Sequence, residues 1–162
     1  RIAFAHSIPS KILPIRLADY GGSILCKKGS FICGDPNIKI EVAASKTWKT
    51  GFFGSQGLLL QRLSGGELVL IGGGGSLVRY DLRPDEIIKV SPSCVLAFSE
   101  SVDYEVEFVG SNIFGLGGLF FTIFKGPGTV YLQSMNFDNL ISQIKSRIPS
   151  RSNSSSSSSN DK

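Results

Sequence analysis

Histidine and cysteine, which build many catalytic and metal sites, are scarce in this sequence. There is one histidine, His6, and there are three cysteines, Cys26, Cys33 and Cys94, in 162 residues. No orienting partner for His6 can be named, and no G-x-S-x-G nucleophile motif occurs. An odd number of cysteines without a C-x-x-C pair argues against a disulfide framework and a zinc site. We therefore expect no catalytic residue, no metal and no cofactor, in a protein that is not an enzyme.

The cysteines lie inside apolar segments, which read SILC, FIC and CVLAF. Free cysteine is commonly buried, so these segments predict reduced thiols in the core of an intracellular protein. A bridge between Cys26 and Cys33 across a hairpin is the geometrically possible alternative.

Long apolar runs are also missing. No window approaches the roughly 18 consecutive apolar residues of a membrane-spanning helix, and no signal-peptide pattern is visible. The chain begins with Arg1 rather than methionine. This start is compatible with a fragment or a processed form, and any targeting segment would lie upstream.

The globular part lacks an excess of positive charge. Residues 1–144 carry 13 basic and 12 acidic side chains, so most of the net charge of +4 belongs to the C-terminal end. A surface that binds nucleic acid needs clustered Lys and Arg to displace counterions. Nucleic acid is therefore an unlikely partner.

What the sequence does contain is an internal repeat. Residues 52–71 and 113–132 match at a constant offset of 61, which aligns Phe53 with Phe114 and Val69 with Val130. The same offset aligns three glycine pairs: Gly54 with Gly115, Gly57 with Gly118, and Gly65 with Gly126. Each copy predicts a glycine loop, a strand, a tight turn and a second strand. A repeat of this kind decides the architecture.

The repeat glycines are interpreted as structural. Gly65, Gly66, Gly126 and Gly128 stand between apolar strands, where hairpin turns need a positive φ. Gly54, Gly57, Gly115 and Gly118 stand at strand entries, where they permit a bulge or a close backbone approach. The run Gly72–Gly75 is not a phosphate loop, because a strand rather than a helix follows it.

The rest of the chain predicts about a dozen short strands separated by Gly/Pro turns, which indicates an all-β fold of tandem sandwich or barrel units. One segment, 136–148, has helical spacing of Phe137, Leu140, Ile141, Ile144 and Ile148. We expect a single all-β domain over 1–149, which includes this terminal helix. The Ser-rich tail, 150–162, has no apolar residue and is expected to be disordered.

One loop is a candidate contact surface. Trp48, Phe52 and Phe53 form an aromatic cluster beside Lys46 and Lys49. Such a loop could stack on nucleic acid, touch a membrane surface or pack on a neighbouring subunit. Packing is favoured, because the equivalent loop of the second repeat, 111–115, lacks the basic residues.

These segments together resemble the AIM24 family (altered inheritance of mitochondria protein 24) over about residues 3–145. The resemblance rests on four stretches: LADYGGSILCKKGSFIC, GFFGSQGLLLQRLSGGE, DLRPDEIIKVSPSCVLAFSESVDYEVEFVG and GLGGLFFTIFKGPGTVYLQS. It implies tandem units like the tryptophan RNA-binding attenuation protein (a short double-stranded β-helix), often assembled in rings or trimers. It also implies a mitochondrial location in a eukaryote and a cytoplasmic one in a bacterium. The RNA-binding activity is not carried over, because the regularly spaced basic residues are missing.

Two functions from different classes follow as hypotheses. The first is a non-enzymatic structural or scaffold protein of unknown biochemical activity, which forms a homo-oligomer through its β units. The second is a module that binds a small ligand or, through the loop at Trp48 and Lys49, a membrane surface or protein partner.

Overall fold

The computed structural model describes residues 3, 5, 6, 8–43, 58–109 and 119–148. The described residues form twelve strands: β1 Lys11–Arg16, β2 Ser23–Lys27, β3 Phe31–Gly34, β4 Lys39–Ala43, β5 Leu60–Ser64, β6 Leu68–Gly73, β7 Leu77–Leu82, β8 Ile87–Val90, β9 Val95–Ser99, β10 Asp103–Val109, β11 Leu119–Lys125 and β12 Gly128–Gln133. One helix follows, α1 Phe137–Arg147. The predicted all-β fold with a terminal helix is confirmed.

The strands form three antiparallel sheets. A central sheet has the order β4-β5-β2-β9-β12-β7, and two outer sheets have the orders β1-β6-β3 and β10-β11-β8. Pro14 lies in β1, at an edge of the first outer sheet. An edge is where a strand tolerates a residue that lacks a backbone N–H.

The repeat of the sequence is a repeat of topology. Strands β1–β6 (unit 1) and β7–β12 (unit 2) follow the same plan, because β4-β5-β2 and β1-β6-β3 correspond to β10-β11-β8 and β7-β12-β9. Even an irregularity is repeated. The register shifts between Phe31 and Cys33 opposite β6, and shifts again between Val95 and Ala97 opposite β12. A bulge at the same place in both copies indicates one duplicated unit.

Neither repeat is a hairpin, contrary to the sequence-based prediction. β5 pairs with β4 and β2, while β6 pairs with β1 and β3. In the second copy, β11 pairs with β10 and β8, while β12 pairs with β7 and β9. All four strands already have two hydrogen-bonded neighbours, so each glycine turn carries the chain from one sheet to another. A turn between two apolar strands has the same sequence pattern whether it forms a hairpin or connects two different sheets.

The middle strands of the central sheet are buried on both faces. In β12, Tyr131 belongs to one apolar cluster and Val130 to the other; in β9, Ala97 and Phe98 divide in the same way. Successive strand residues point to opposite faces, so one outer sheet covers each face. This explains why β9 reads as a continuous apolar run rather than an alternating one.

Candidate functional site

The junction of the two units is the pairing of β2 with β9, which joins two three-stranded sheets into the central sheet. Ile24 lies opposite Ser99, Leu25 opposite Phe98 and Cys26 opposite Ala97. Ile24, Cys26 and Ala97 are fully buried. The two units therefore share one hydrogen-bonded sheet and its core.

A polar cluster lies beside this junction. Glu100 of unit 2 accepts hydrogen bonds from the Ser23 hydroxyl at 2.7 Å and from the Arg62 Nε, and both donors belong to unit 1. Arg62 also contacts Glu41 at 3.5 Å. The hydrogen bond from Arg62 holds the pKa of the Glu100 carboxyl below its ordinary value, although partial burial opposes this shift. The cluster thus links the two units by hydrogen bonds and an ion pair.

Two strands equivalent to the junction strands have an open edge. β3 corresponds to β9 and ends the first outer sheet; β8 corresponds to β2 and ends the second outer sheet. Among the described residues neither strand pairs on its outer side. Open edges present unpaired backbone N–H and C=O groups, which can pair with another strand. The structure therefore contains one occupied junction and the two separated halves of a second.

A groove of about 690 Å³ opens between β1 and β7. Its lining is apolar at Leu13, Leu77 and Val78, with Arg16 and Arg79 among its charged residues. The Tyr20 and Tyr131 hydroxyls also line it, and they are joined by a hydrogen bond of 2.5 Å. One hydroxyl proton makes this bond, which leaves the other proton for a further acceptor.

The surroundings of Tyr131 keep its hydroxyl neutral. Burial, followed by the hydrogen bond with Tyr20, raises the pKa of the Tyr131 hydroxyl well above its usual range. The Arg79 guanidinium lies 6.0 Å from the centre of the Tyr131 ring and forms an ion pair with Asp81 at 2.9 Å. A hydrogen bond from Thr129, followed by those from Arg79, holds the pKa of Asp81 below its ordinary value. This arrangement can donate a hydrogen bond to a neutral or anionic oxygen of a ligand.

Residues with metal-binding chemistry do not converge in the described part of the chain. No three His, Cys, Asp or Glu side chains there come together in a geometry that could hold a metal ion. His6 contacts the carbonyl oxygen of Gly29 at 3.2 Å. The three cysteines are free, and burial raises the pKa of the Cys26 thiol. A raised pKa reduces the thiolate fraction and hence the reactivity of a thiol.

The predicted contact loop lies outside the described residues, with Trp48, Lys49, Phe52 and Phe53, so its role stays a prediction. The strand-entry glycines Gly54, Gly57, Gly115 and Gly118 lie outside them as well.

The turn glycines are described, and they differ in geometry. Gly65 has a φ of +85° and Gly128 a φ of +147°, a range that favours glycine. Gly126 is not among the residues with positive φ. A Cβ at Gly126 would instead collide with the carbonyl oxygen of Arg83.

Sequence reasoning missed both the groove and the open edges. Tyr20 and Tyr131 are 111 positions apart, and no local pattern links them. The edges depend on which strands pair, and short apolar runs do not encode their partners. The repeat was the signal that could have found them, because the offset of 61 equates β5 with β11 and β6 with β12, and the strands β2, β3, β8 and β9 pair with these.

The chain matches the AIM24 family, described as mitochondrial biogenesis AIM24, over residues 1–135. It belongs to the AIM24 family. An uncharacterised protein of Streptococcus pyogenes serotype M6 is 23% identical over 155 residues, which cover 94% of this chain and 61% of that protein. This AIM24 chain thus spans less than two thirds of the relative's length.

A solved structure has the same fold. It is the crystal structure of a Streptococcus pyogenes protein from the Northeast Structural Genomics Consortium, with a TM-score of 0.71 and 19% identity. The superposition covers 89% of the AIM24 chain and 63% of that protein. At this identity the similarity supports the fold and does not extend to an activity.

Proposed function

We propose that this chain is a non-enzymatic scaffold protein, which assembles with further copies of itself through the open edges of β3 and β8. One observation carries the proposal: strands equivalent to the two sides of the β2–β9 junction lie open in β3 and β8. Since β2 pairs with β9 inside the chain, β8 of one copy can pair with β3 of another in the same way.

The internal junction specifies a register for the contact between copies. Ile24 lies opposite Leu63 and Ile88 lies opposite Phe124, so the offset of 61 makes Ile88 the equivalent of Ile24. By the same reasoning, Val90 is the equivalent of Cys26.

On the other side of the junction, Ala97 lies opposite Tyr131 and Cys33 lies opposite Leu70, which makes Cys33 the equivalent of Ala97. Cys26 lies opposite Ala97 within the chain. Val90 of one copy is therefore expected opposite Cys33 of the next.

The contact is head-to-tail, because it uses two different surfaces of the chain. A contact of this type closes into a ring if its rotation permits, and otherwise extends into a filament. The family resemblance favours the closed form, a ring or a trimer.

Cross-linking tests the register. Directly opposite residues in an antiparallel pair have Cβ atoms about 4.5–5.5 Å apart, close enough for a disulfide after a small adjustment. We expect V90C to form a disulfide-linked species with Cys33 of a neighbouring copy under mild oxidation, and C33S to abolish it. The matched control is K89C, whose side chain points to the other face of the strand and should not cross-link.

Native mass spectrometry and light scattering test the assembly itself. A discrete oligomer at micromolar concentration supports the proposal, and a strict monomer refutes it. An oligomer in which V90C does not cross-link would retain the scaffold and reject the β8–β3 interface. A broad hydrolase screen tests the non-enzymatic part, and reproducible turnover would overturn that part alone.

Small-ligand binding is the second candidate function, and the tyrosine groove favours it. The groove combines apolar walls with a free hydroxyl proton and an arginine, a combination typical of sites for small ligands that carry an oxygen acceptor. Native mass spectrometry of protein purified gently from its own cells should then give a reproducible added mass. Tyr131→Phe should lower the fraction of the protein that carries this mass. An unmodified mass in both proteins would reject this candidate.

A further inference from the structure

Helix α1 presents an apolar stripe to solvent. Leu140, Ile144 and Ile148 follow one another at intervals of four, and they are 37%, 51% and 62% exposed. Phe137 and Ile141, on the same side of the helix, are only partly buried. Since residues four apart lie on one face of a helix, these side chains form a continuous apolar surface that the described β units leave uncovered.

Basic residues border this stripe on both sides. With about 100° between successive residues, Lys145 and Arg147 lie about 80° to either side of the direction of Phe137. Both are exposed, and neither forms an ion pair with a described residue. The opposite face carries only uncharged polar residues: Asn139, Ser142, Gln143 and Ser146. The helix carries one acidic residue, Asp138 in its first turn, and none follows between 139 and 148.

We propose that α1 docks on the surface of an anionic lipid bilayer, with its apolar stripe in the interface and its two basic side chains at the headgroups. Long basic side chains at the border of an apolar face can lay their stems along it and place their charges among lipid phosphates. The helix has 11 residues and is about 16 Å long, which is enough to lie on a bilayer. No helix among the described residues is long and apolar enough to cross one.

The charge pattern argues against a second copy of the helix as the occupant. Two such helices packed stripe to stripe would together carry four basic side chains against two Asp138 carboxylates, so the pair would keep an excess of positive charge. An anionic surface supplies the opposite charge. The proposal goes beyond the scaffold function and does not depend on it, although an assembly of several copies would bind more strongly than one helix.

Vesicle flotation of the full chain tests this proposal. We expect binding to vesicles of phosphatidylcholine mixed with phosphatidylglycerol, little binding to phosphatidylcholine alone, and weakening of binding as salt increases. Ile144→Ser should reduce binding about tenfold, because it removes a large apolar side chain from the interface. The matched control is Gln143→Ser on the polar face, which introduces the same residue into the same turn and should leave binding unchanged. The double variant K145Q/R147Q should remove the preference for anionic vesicles.

Other outcomes overturn the proposal. Equal binding by Ile144→Ser and the wild type would exclude the stripe as the contact. Binding that is lost in Trp48→Ala and retained in Ile144→Ser would assign the membrane contact to the loop near Trp48. An intact oligomer that binds no vesicles would reject the membrane contact and leave the scaffold proposal standing. Far-UV circular dichroism of each variant verifies that the fold is retained.

Discussion

Two buried threonine hydroxyls differ in their hydrogen bonding. Thr122 and Thr129 are both buried, and they lie on the consecutive strands β11 and β12. The hydroxyl of Thr129 donates to Asp81 at 2.7 Å, whereas the hydroxyl of Thr122 has no hydrogen-bond partner among the described residues. Thr122 lies opposite Val90 and Val106, in a place that suits an aliphatic side chain.

Replacing Thr122 by Val should stabilise the protein by about 1 kcal/mol, because it removes a buried polar group that has no partner. Thr129→Val is the matched control and should destabilise by about 1 kcal/mol, since it removes the hydrogen bond from Thr129 to Asp81. Chemical denaturation measures both. A lower free energy of unfolding for Thr122→Val would contradict the assignment.

The pair of Arg62 and Glu100 makes part of the stability depend on pH. The pKa of Glu100 is lower in the folded state than its ordinary value of 4.5. Its contribution is therefore fully present above the unfolded pKa and is lost as the pH falls through the folded pKa. Both side chains are more than a third exposed, so solvent screens the pair and its contribution to stability is small.

We expect Glu100→Gln to lower the melting temperature slightly at neutral pH and to flatten its decrease between about pH 5 and pH 3. High salt should reduce the difference between the two proteins, because it screens the exposed pair. If the melting temperatures of the wild type and the variant fell equally between about pH 5 and pH 3, the pair would not be the source of the pH dependence.

At the scale of elements, the aromatic contact between β9, β10 and β11 holds the second outer sheet on the central sheet. The ring of Phe98 lies 4.9 Å from that of Phe124 and 5.0 Å from that of Tyr104. Phe98 and Phe124 are fully buried. Side chains from two sheets thus meet at one point of the core.

Phe124→Ala should destabilise the protein by about 3–5 kcal/mol, because it opens a cavity between the sheets. Tyr80→Ala is the control, since Tyr80 is 45% exposed and should cost much less. Equilibrium denaturation in urea compares the two. Equal losses in the two variants would mean that the sheets are held together elsewhere.

Element by element, the sequence predicted the strands better than their partners. The strand from Tyr104 to Val109 alternates, and it was predicted correctly; the helix predicted over 136–148 is observed at Phe137–Arg147. The glycine turns were placed correctly, but the strands on either side of them belong to different sheets. Hydrogen-bond partners depend on contacts between distant residues, such as Cys26 with Ala97, which leave no local periodicity. The tyrosine groove was missed for the same reason.

At the scale of the whole molecule, the main feature is the close connection between the two units. They share the central sheet, and residues of both units contribute to each apolar cluster or pack against it. Cutting the chain between them would expose the buried edges of β2 and β9. A shared sheet and core indicate a single cooperative structure.

We therefore expect the two units to unfold in a single transition. Native-state hydrogen exchange should give the amides of β2 and β9 the same opening free energy, equal to that of global unfolding. Two separate transitions, or markedly weaker protection of one unit, would contradict this expectation.

The junction inside the chain also determines how such a protein responds to dilution. A contact between separate copies weakens as the protein becomes scarcer, whereas the pairing of β2 with β9 is intramolecular and has an effective concentration that dilution does not change. The two units of one chain therefore stay paired through β2 and β9 at any protein concentration at which the chain is folded. Any assembly of this chain thus grows and dissociates in steps of two units.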